Sequence, residues 1–286
     1  MNYTHTRIIG GWIGIAILSF VFCSGIAVAQ EDVAEEYRQG KSFIQPKVYT
    51  LEEDREILKA FEGLRVTDVS DGMDKAGLPD VGLMDPEIAP LWKDAQHFTH
   101  RIIGIAVTAR YVPTNKPSSA SIEPEEFDQW EGNFYNNYSS EPFVQVLREG
   151  SVLVLDDVVD GDVGTIGSNN IMGWKVRGCV GVVTNACARD TDEIITEQVP
   201  LYFREVGRGI RPGRNEIESV NMPISCGGVL VMPGDVVVAD GDGVIVVPRA
   251  YALDVARYAK EILEKDKAGR RNLYKKLGLP IDDSVR

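Results

Sequence analysis

The sequence is poor in histidine, which removes several catalytic chemistries from consideration. Only three histidines occur, and one of them, His5, lies within the first 29 residues. His97 and His100 leave little material for a histidine-rich metal site or a Ser-His-Asp triad. The chain also has no G-x-S-x-G, H-E-x-x-H or P-loop lysine motif. Zinc-protease, serine-hydrolase and P-loop chemistry are therefore set aside.

Positive charge is also scarce. The chain has 30 Lys and Arg against 43 Asp and Glu, which gives a formal net charge of -13. Without a basic surplus to neutralise phosphates, general nucleic-acid binding is not expected. With 286 residues, 44% of them hydrophobic, the chain is long enough to bury a sizeable core, and its acidity favours solubility.

Cysteine is used sparingly, and its pattern does not indicate a disulfide framework. Of the four cysteines, Cys23 lies in the N-terminal apolar segment, which leaves Cys179, Cys187 and Cys226. The number is odd and two of them lie in apolar, strand-like runs. Buried thiols that pack as small hydrophobic groups are predicted. A disulfide between Cys179 and Cys187 remains an alternative.

The first 29 residues have the pattern of a secretory signal peptide. One cation, Arg7, precedes an apolar run over 8–26, and Ala27-Val28-Ala29 provides a small-x-small cleavage site. An exported protein, periplasmic or secreted, is expected. The alternative is an uncleaved membrane anchor, since the apolar run approaches the length of a membrane span. Residues 30–50 are polar and aperiodic and predict a flexible leader, or an arm that reaches a neighbouring subunit.

The remaining pattern predicts a mixed α/β domain over 51–286. Helical spacing predicts helices over 51–64, 66–78, 170–177 and 251–277, the second one capped by Thr67 or Asp68 and the third ended by Gly178. Apolar β-rich runs predict strands over 102–112, 152–159, 179–184, 199–205, 222–226, 229–232, 236–239 and 244–247. The segment 113–142 is rich in Pro, Ser, Asn and aromatic residues and predicts an inserted loop. Its aromatic side chains either pin the loop to the surface or contact a substrate or partner.

The stretch 164–193 carries the candidate chemistry, because Arg189 and Asp190 follow a buried strand on a loop. α/β proteins place ligand sites at the carboxyl ends of their strands. Asp190 allows two interpretations. With Glu193 three residues on, it is typical of a capping box that begins a helix. Alternatively, its carboxylate binds Mg²⁺ or Mn²⁺ while Arg189 grips a substrate carboxylate.

Two other glycine-rich motifs favour structural interpretations. Gly161, Gly164 and Gly167 follow a strand at three-residue intervals, which is the wrong spacing for a dinucleotide fingerprint, so a turn is predicted there. Asp240 and Asp242 lie in the run Asp-Gly-Asp-Gly between two strands, where a hairpin turn is predicted.

Two long motifs give the chain a resemblance to the RraA-like family. They are residues 167–190 and the segment 224–249, ISCGGVLVMPGDVVVADGDGVIVVPR. The family includes class II pyruvate aldolases acting on 4-hydroxy-4-methyl-2-oxoglutarate and the regulator of ribonuclease activity A. The resemblance covers about 51–278, with 113–142 outside it. It implies a compact, layered β/β/α fold of the swivelling-domain type with N- and C-terminal helices, assembled as trimers or hexamers with the active site between subunits.

The resemblance also implies roles for particular residues. Arg189 and Asp190 match the pair that binds substrate and a divalent metal, and the loop Gly167, Ser168, Asn169 and Asn170 matches the one whose amides bind the pyruvoyl carboxylate. The metal, Mg²⁺ or Mn²⁺, polarises the 2-oxo group so that carbon–carbon cleavage leaves a pyruvate enolate. An acid on the neighbouring subunit's C-terminal helix, here Glu264 or Glu261, assists the metal.

The motif departs from the family pattern at its start. Many aldolases carry Asp or Glu where this chain has Ser168, and apolar residues in place of Asn169 and Asn170. Either Asp160 or Asp162 substitutes for the missing acid, or the substrate has changed. The leading hypothesis is a metal-dependent lyase that cleaves or decarboxylates a 2-oxo acid. The alternatives are a non-catalytic regulator and a related lyase acting on a sugar-derived keto acid.

Overall fold

The computed structural model describes residues 33–117, 123–157 and 162–286. The predicted signal segment and Asp160 lie outside these residues. The chain divides into two compact units, the first ending at Gln45 and the second running from Pro46 to Arg286. In the first unit, residues 33–38 form a helix within the predicted leader. No helix in the described ranges is both long enough and apolar enough to cross a membrane.

The larger unit alternates helices and short strands. Its helices are α1 (Leu51–Phe61), α2 (Val66–Lys75), α3 (Pro124–Asn137), α4 (Ser168–Val176), α5 (Thr191–Glu197) and α6 (Ala252–Leu277). Its strands are β1 (Ala89–Pro90), β2 (Ile102–Pro113), β3 (Ser151–Asp156), β4 (Gly164–Ile166), β5 (Cys179–Thr184), β6 (Cys187–Ala188), β7 (Leu201–Phe203), β8 (Glu205–Val206), β9 (Asn215–Val220), β10 (Ile224–Cys226), β11 (Val229–Val231), β12 (Val236–Asp240) and β13 (Gly243–Val247).

A mixed eight-stranded sheet forms the centre of this unit. The strand order is β1–β7–β5–β3–β2–β12–β13, and β9 pairs with the far end of β2. The central strands β2, β3, β5 and β7 are parallel, and the strands outside them pair antiparallel. β3 is buried on both faces, which explains its continuous apolar sequence.

The two faces of the sheet carry different layers. Along β2, Ile105 and Val107 pack into clusters with the helices, whereas Ile102 and Ala106 pack with the β10–β11 hairpin. Side chains alternate between the two faces of a strand, so helices cover one face and a second small sheet covers the other. This is the layered β/β/α arrangement predicted from the sequence.

Helix packing against the sheet depends on a close contact between α2 and α6. A Cβ built on Gly72 would lie 2.8 Å from the backbone oxygen of Val255, so glycine permits the two helices to approach.

α1 begins with a capping box between Thr50 and Glu53. The carboxylate of Asp240 accepts a hydrogen bond from the N–H of Val66 at 3.0 Å, which satisfies the start of α2 and supports the structural interpretation of Asp240.

Several sequence predictions need correction. The segment 113–142 is not a loop throughout, because it contains α3. The predicted strand over 199–205 is two strands, β7 and β8, that belong to different sheets. α2 is not capped by Thr67: the carboxylate of Asp68 bonds back to the Arg65 N–H at 3.1 Å. The three cysteines are buried thiols, as expected, and the alternative Cys179–Cys187 disulfide is not formed.

Candidate active site

Two short parallel strands bring the residues of the predicted site together. In the three-stranded sheet β4–β6–β8, Gly164 pairs with Cys187 and Ile166 with Ala188. Because the strands are parallel, with a register shift between Gly164 and Ile166, the residues after each strand meet at one edge of the sheet. The segment that begins at Gly167 thus lies beside the Arg189–Asp190 pair. β6 was not predicted from the sequence, because two residues are too short to show periodicity.

Asp190 occupies the N-cap position of α5 but forms no capping box with Glu193, so the capping-box interpretation is wrong. It precedes α5, but its backbone is left-handed, with φ 56° and ψ 40°, and its side chain makes no cap hydrogen bond. A capping residue has extended backbone angles instead. The carboxylate accepts a hydrogen bond from the N–H of Ser168 at 3.1 Å. Asp190 is therefore turned from its own helix toward the start of α4.

Arg189 presents a buried donor that is still available. Its backbone N–H donates to the Ile166 oxygen at 2.8 Å, which fixes the residue against β4. Within the described structure its Nε atom is buried and has no hydrogen-bond partner, and Nε lies 3.9 Å from an Asp190 oxygen. A buried donor without a partner is costly. A ligand oxygen at this position would satisfy it.

Glycine is needed on both sides of this pair. A Cβ on Gly164 would lie 2.7 Å from the Arg189 Cβ, and a Cβ on Gly167 would lie 2.8 Å from Oδ2 of Asp190. These distances are shorter than ordinary contacts, so larger residues would displace the side chains. The glycine spacing that the sequence analysis assigned to a turn also makes room for the arginine–aspartate pair.

The start of α4 provides further donors beside the pair. Gly167 is the N-cap residue and has no side chain to cap the helix, so first-turn N–H groups lack an intrahelical acceptor. The N–H of Ser168 is engaged by Asp190. The backbone N–H groups of Asn169 and Asn170 remain for an anionic ligand, which the positive end of the helix dipole also favours.

A cleft of about 420 Å³ extends from Arg189 toward α3. We call it the α3 cleft; it is lined by Tyr135, Asn136, Ser139, Ser140, Glu141, Gly164, Thr165, Asn170, Arg189 and Arg211. Its volume lies in the range of small-molecule sites. The predicted insert thus forms one wall of a cleft that includes the candidate site.

Glu141 and Arg211 organise this cleft, and the sequence analysis did not identify either. Oε1 of Glu141 accepts from Arg211 at 2.8 Å and from the Asn170 amide at 2.7 Å, and Oε2 accepts from Trp174 Nε1 at 2.9 Å. Arg211 also donates to the hydroxyl of Tyr111 at 3.0 Å. Glu141 and Arg211 are 70 residues apart, and the only sequence signal was that Arg211 lies in a glycine- and arginine-rich loop.

The other predicted acids lie elsewhere. Glu264 and Glu261 are exposed on α6, where they form ion pairs of 3.8 Å with Lys267 and Lys75. Asp162 bonds to Arg208 at 2.7 Å, and that hydrogen bond keeps the pKa of the Asp162 carboxyl below its usual value. Asp162 is therefore committed to an ion pair.

Comparison with known proteins agrees with this architecture. The family model described as Aldolase/RraA matches residues 66–246, and the chain belongs to this RraA-like family. A protein of Halalkalibacterium halodurans named "Putative 4-hydroxy-4-methyl-2-oxoglutarate aldolase" is 34% identical over 125 residues, 43% of this chain and 58% of that protein. The chain spans about half the length of the first curated relatives it matches.

Solved structures show the same fold. An uncharacterized protein from Pseudomonas syringae pv. tomato aligns with a TM-score of 0.59 and 25% identity, over 85% of this chain and 100% of that one. RraAS2 of Streptomyces coelicolor, described as an unusual member of the RNase ES inhibitor RraA family, aligns with a TM-score of 0.59 and 21% identity, over 76% of this chain and 96% of that one. The second likeness concerns the fold alone.

Proposed function

We propose that this chain is a divalent-metal-dependent lyase that cleaves a carbon–carbon bond of a 2-oxo acid and releases pyruvate, by retro-aldol cleavage or decarboxylation. The observation that carries the proposal is the unpartnered Arg189 Nε beside an Asp190 carboxylate that does not cap its helix. The family relationship supports the same reaction class. A guanidinium and a carboxylate at the carboxyl ends of parallel strands form a suitable site for an anionic substrate.

The residues of the chain divide the work between binding and charge stabilisation. Arg189 binds the substrate's carboxylate and 2-oxo oxygen through charge-assisted hydrogen bonds. The N–H groups of Asn169 and Asn170 bind the other carboxylate oxygen at the start of α4. As the carbon–carbon bond breaks, negative charge develops on the 2-oxo oxygen, and the fixed guanidinium stabilises it without reorganisation.

Asp190 is the residue that would hold the metal. In the described part of the chain, no three His, Cys, Asp or Glu side chains form a cluster suited to a metal. Mg²⁺ is commonly held by one or two carboxylates and keeps several waters, so a single carboxylate fits Mg²⁺ or Mn²⁺ better than it fits zinc. When bound, the cation would polarise the 2-oxo group. With Ser168 in place of an acid, we expect weak metal affinity.

The oligomer and the compartment belong to the same proposal. We propose a homo-oligomer, a trimer or hexamer, in which Glu264 of one subunit approaches Asp190 of the next. The exposure of the Glu264 side chain, 71%, leaves it accessible for such a role. We further propose export through the N-terminal signal segment, which cell fractionation would test.

The test is pyruvate release by the chain that begins at Gln30. Oxaloacetate and 4-hydroxy-4-methyl-2-oxoglutarate would be supplied with Mg²⁺, with Mn²⁺ and with EDTA. Three proteins would be compared: the wild type, Asp190→Asn, and Asp192→Asn as a control that removes an exposed acid two residues away. We expect metal-dependent pyruvate, a loss of at least about 100-fold in kcat/KM for Asp190→Asn, and little change for Asp192→Asn.

Two outcomes would contradict the proposal. Pyruvate release that is unchanged in Asp190→Asn would remove Asp190 from the reaction. No pyruvate from a folded protein in saturating Mg²⁺ or Mn²⁺ would refute the lyase and favour a non-catalytic binding role. Calorimetric titration of Mg²⁺ into the wild type and Asp190→Asn would test the metal site separately from turnover.

A further inference from the structure

We infer that the α3 cleft selects 2-oxo acids with an uncharged, hydroxylated tail, of the 2-oxo-3-deoxy sugar acid type, over 2-oxo dicarboxylates. The inference rests on the proposed function for the reacting end of the substrate. The tail itself would lie between Arg189 and α3. Selectivity for the tail is set by the charged groups of the cleft that remain available to a ligand.

Arg211 does not offer a site for a second carboxylate. Its side chain is only 6% exposed and forms a 2.8 Å ion pair with Glu141. Its guanidinium also lies over the rings of Tyr111 and Tyr135, at 5.5 and 5.2 Å from their centroids. The positive charge is therefore neutralised and held against aromatic rings. Among the residues that line the cleft, this leaves Arg189, which is half-buried, as the cation without a charge partner inside the cleft lining, and Arg189 is assigned to the reacting end.

Glu141 favours a hydroxyl over a carboxylate at the same place. Its oxygens accept three hydrogen bonds, from Asn170, Arg211 and Trp174. A carboxylate has about four acceptor positions, so one remains for a donor in the cleft. A substrate hydroxyl can donate to it, whereas an ionised carboxylate has no hydrogen to donate and would leave that acceptor position unmet. Sites built to bond a hydroxyl discriminate strongly against groups that cannot donate.

The rest of the lining suits the same ligand. Asn136 and Ser140 add neutral amide and hydroxyl groups, and Tyr135 adds a phenol and an aromatic ring. Neutral polar groups bond hydroxyls without requiring a charge, and the C–H faces of a sugar chain pack on aromatic rings. Asn136 lies on α3 and is exposed. The insert therefore contributes the residues that contact the tail.

The reaction on such a substrate balances without another reagent. In 2-oxo-3-deoxygluconate the C3–C4 bond breaks, and the electron pair passes to C3. The C4 hydroxyl loses its proton and becomes the aldehyde carbonyl, and C3 takes up a proton. The products are pyruvate and glyceraldehyde, with no net oxidation.

The experiment compares 2-oxo-3-deoxygluconate with 4-hydroxy-4-methyl-2-oxoglutarate on the chain from Gln30. We expect wild-type kcat/KM to favour the sugar acid by about tenfold or more. The variant Asn136→Arg adds a cation at the tail end, and arginine is compatible with helix α3. It should shift the ratio toward the dicarboxylate by about fivefold, as expected for a partly exposed ion pair.

The control is Gln129→Arg, which makes the same charge change on an exposed residue two helical turns before Asn136. It does not line the cleft and should leave the ratio unchanged. The inference would be overturned if the wild type prefers the dicarboxylate, or if both variants shift the kcat/KM ratio equally. The proposed lyase activity would be unaffected by either result. If neither compound yields pyruvate, the lyase fails. The dissociation constants of the two compounds, measured by calorimetry, then test the inference. If the sugar acid binds no more tightly than the dicarboxylate, the inference is overturned.

Discussion

Replacing Gly167 by alanine should separate activity from stability at the candidate site. Gly167 has φ -117° and ψ 166°, an extended conformation that alanine adopts without strain. The new Cβ would lie 2.8 Å from Oδ2 of Asp190 and 3.5 Å from Nε of Arg189. Asp190 is 40% exposed, so its carboxylate can swing away. The fold is preserved, but the Asp190 carboxylate moves away from the start of α4, whereas 3.5 Å to Arg189 is an ordinary contact.

The magnitudes follow from the contacts that are lost. Breaking the hydrogen bond between Ser168 and Asp190 costs about 1 kcal/mol, which lowers the melting temperature of a domain of this size by about 2–4 °C. A displacement of about 1 Å at reacting groups can lower the rate about 100-fold. We therefore expect a small fall in melting temperature and a loss of about 100-fold in kcat/KM for pyruvate release.

Gly173→Ala is the matched control. Gly173 lies in the interior of the same helix, α4, and a Cβ there would have no neighbour within 4 Å. Alanine should raise the stability by about 0.5–1 kcal/mol through helix propensity and leave kcat/KM unchanged. Calorimetric melting and the pyruvate assay on both variants are the measurements. If Gly167→Ala keeps wild-type kcat/KM, pyruvate release does not need this placement of the Asp190 carboxylate, and the prediction is wrong.

Three further predictions concern the described structure. Glu141→Gln leaves Arg211 buried without its ion pair, so urea unfolding should show a loss of about 3–5 kcal/mol, part of which a second change, Arg211→Met, should restore. Burial raises the pKa of Cys187 to about 11 and of Cys226 to about 12. At pH 8 the thiols of the native protein should therefore react with Ellman's reagent far more slowly than those of the unfolded chain. Fast reaction of the native thiols would contradict their burial. Hydrogen bonds from the N–H groups of His97 and Gln96 hold the pKa of Asp94 well below its usual range. The ionised Asp94 carboxylate therefore stabilises the fold fully above the ordinary aspartate pKa, and this contribution is lost as the pH falls below that value. In Asp94→Asn, the free energy of unfolding in urea should fall less between about pH 5 and 3 than in the wild type, and an unaltered pH profile would exclude this role.

The sequence was informative where structure is local. Helix spacing placed α1, α2 and α6 within a few residues, and apolar runs located the strands of the main sheet. The segment 113–142 also contains a helix pattern, which its loop-like composition obscured. Pro124 begins α3, acids follow in its first turn, and Phe127, Trp130 and Phe134 recur at helical spacing. Their rings contact one another along the helix, with centroids 5.6 and 5.7 Å apart.

Non-local contacts could not be inferred from one sequence. The neighbours of Asp190 in the sequence favoured a capping box, and only the structure, with its left-handed backbone at Asp190, shows that the side chain does not cap α5. The pairing of β4 with β6 brings Asp190 beside the start of α4, and these strands are too short to be detected from the sequence. The Glu141–Arg211 pair likewise depends on the fold, because the two residues approach only when α3 and the loop that holds Arg211 meet.

Two segments that the sequence resemblance marks as unusual are joined in the structure. One is the polar run that begins α4, where the resemblance implies an apolar residue in place of Asn170, and the other is the predicted insert that ends near Glu141. The amide of Asn170 donates to Glu141 at 2.7 Å, so each departure provides the other's hydrogen-bond partner. An apolar residue at position 170 would leave that acceptor position of Glu141 unmet. The polar start of α4 and the segment that ends near Glu141 are therefore joined by a hydrogen bond, and under the proposed function they would place a hydroxyl-accepting group beside Arg189 and Asp190.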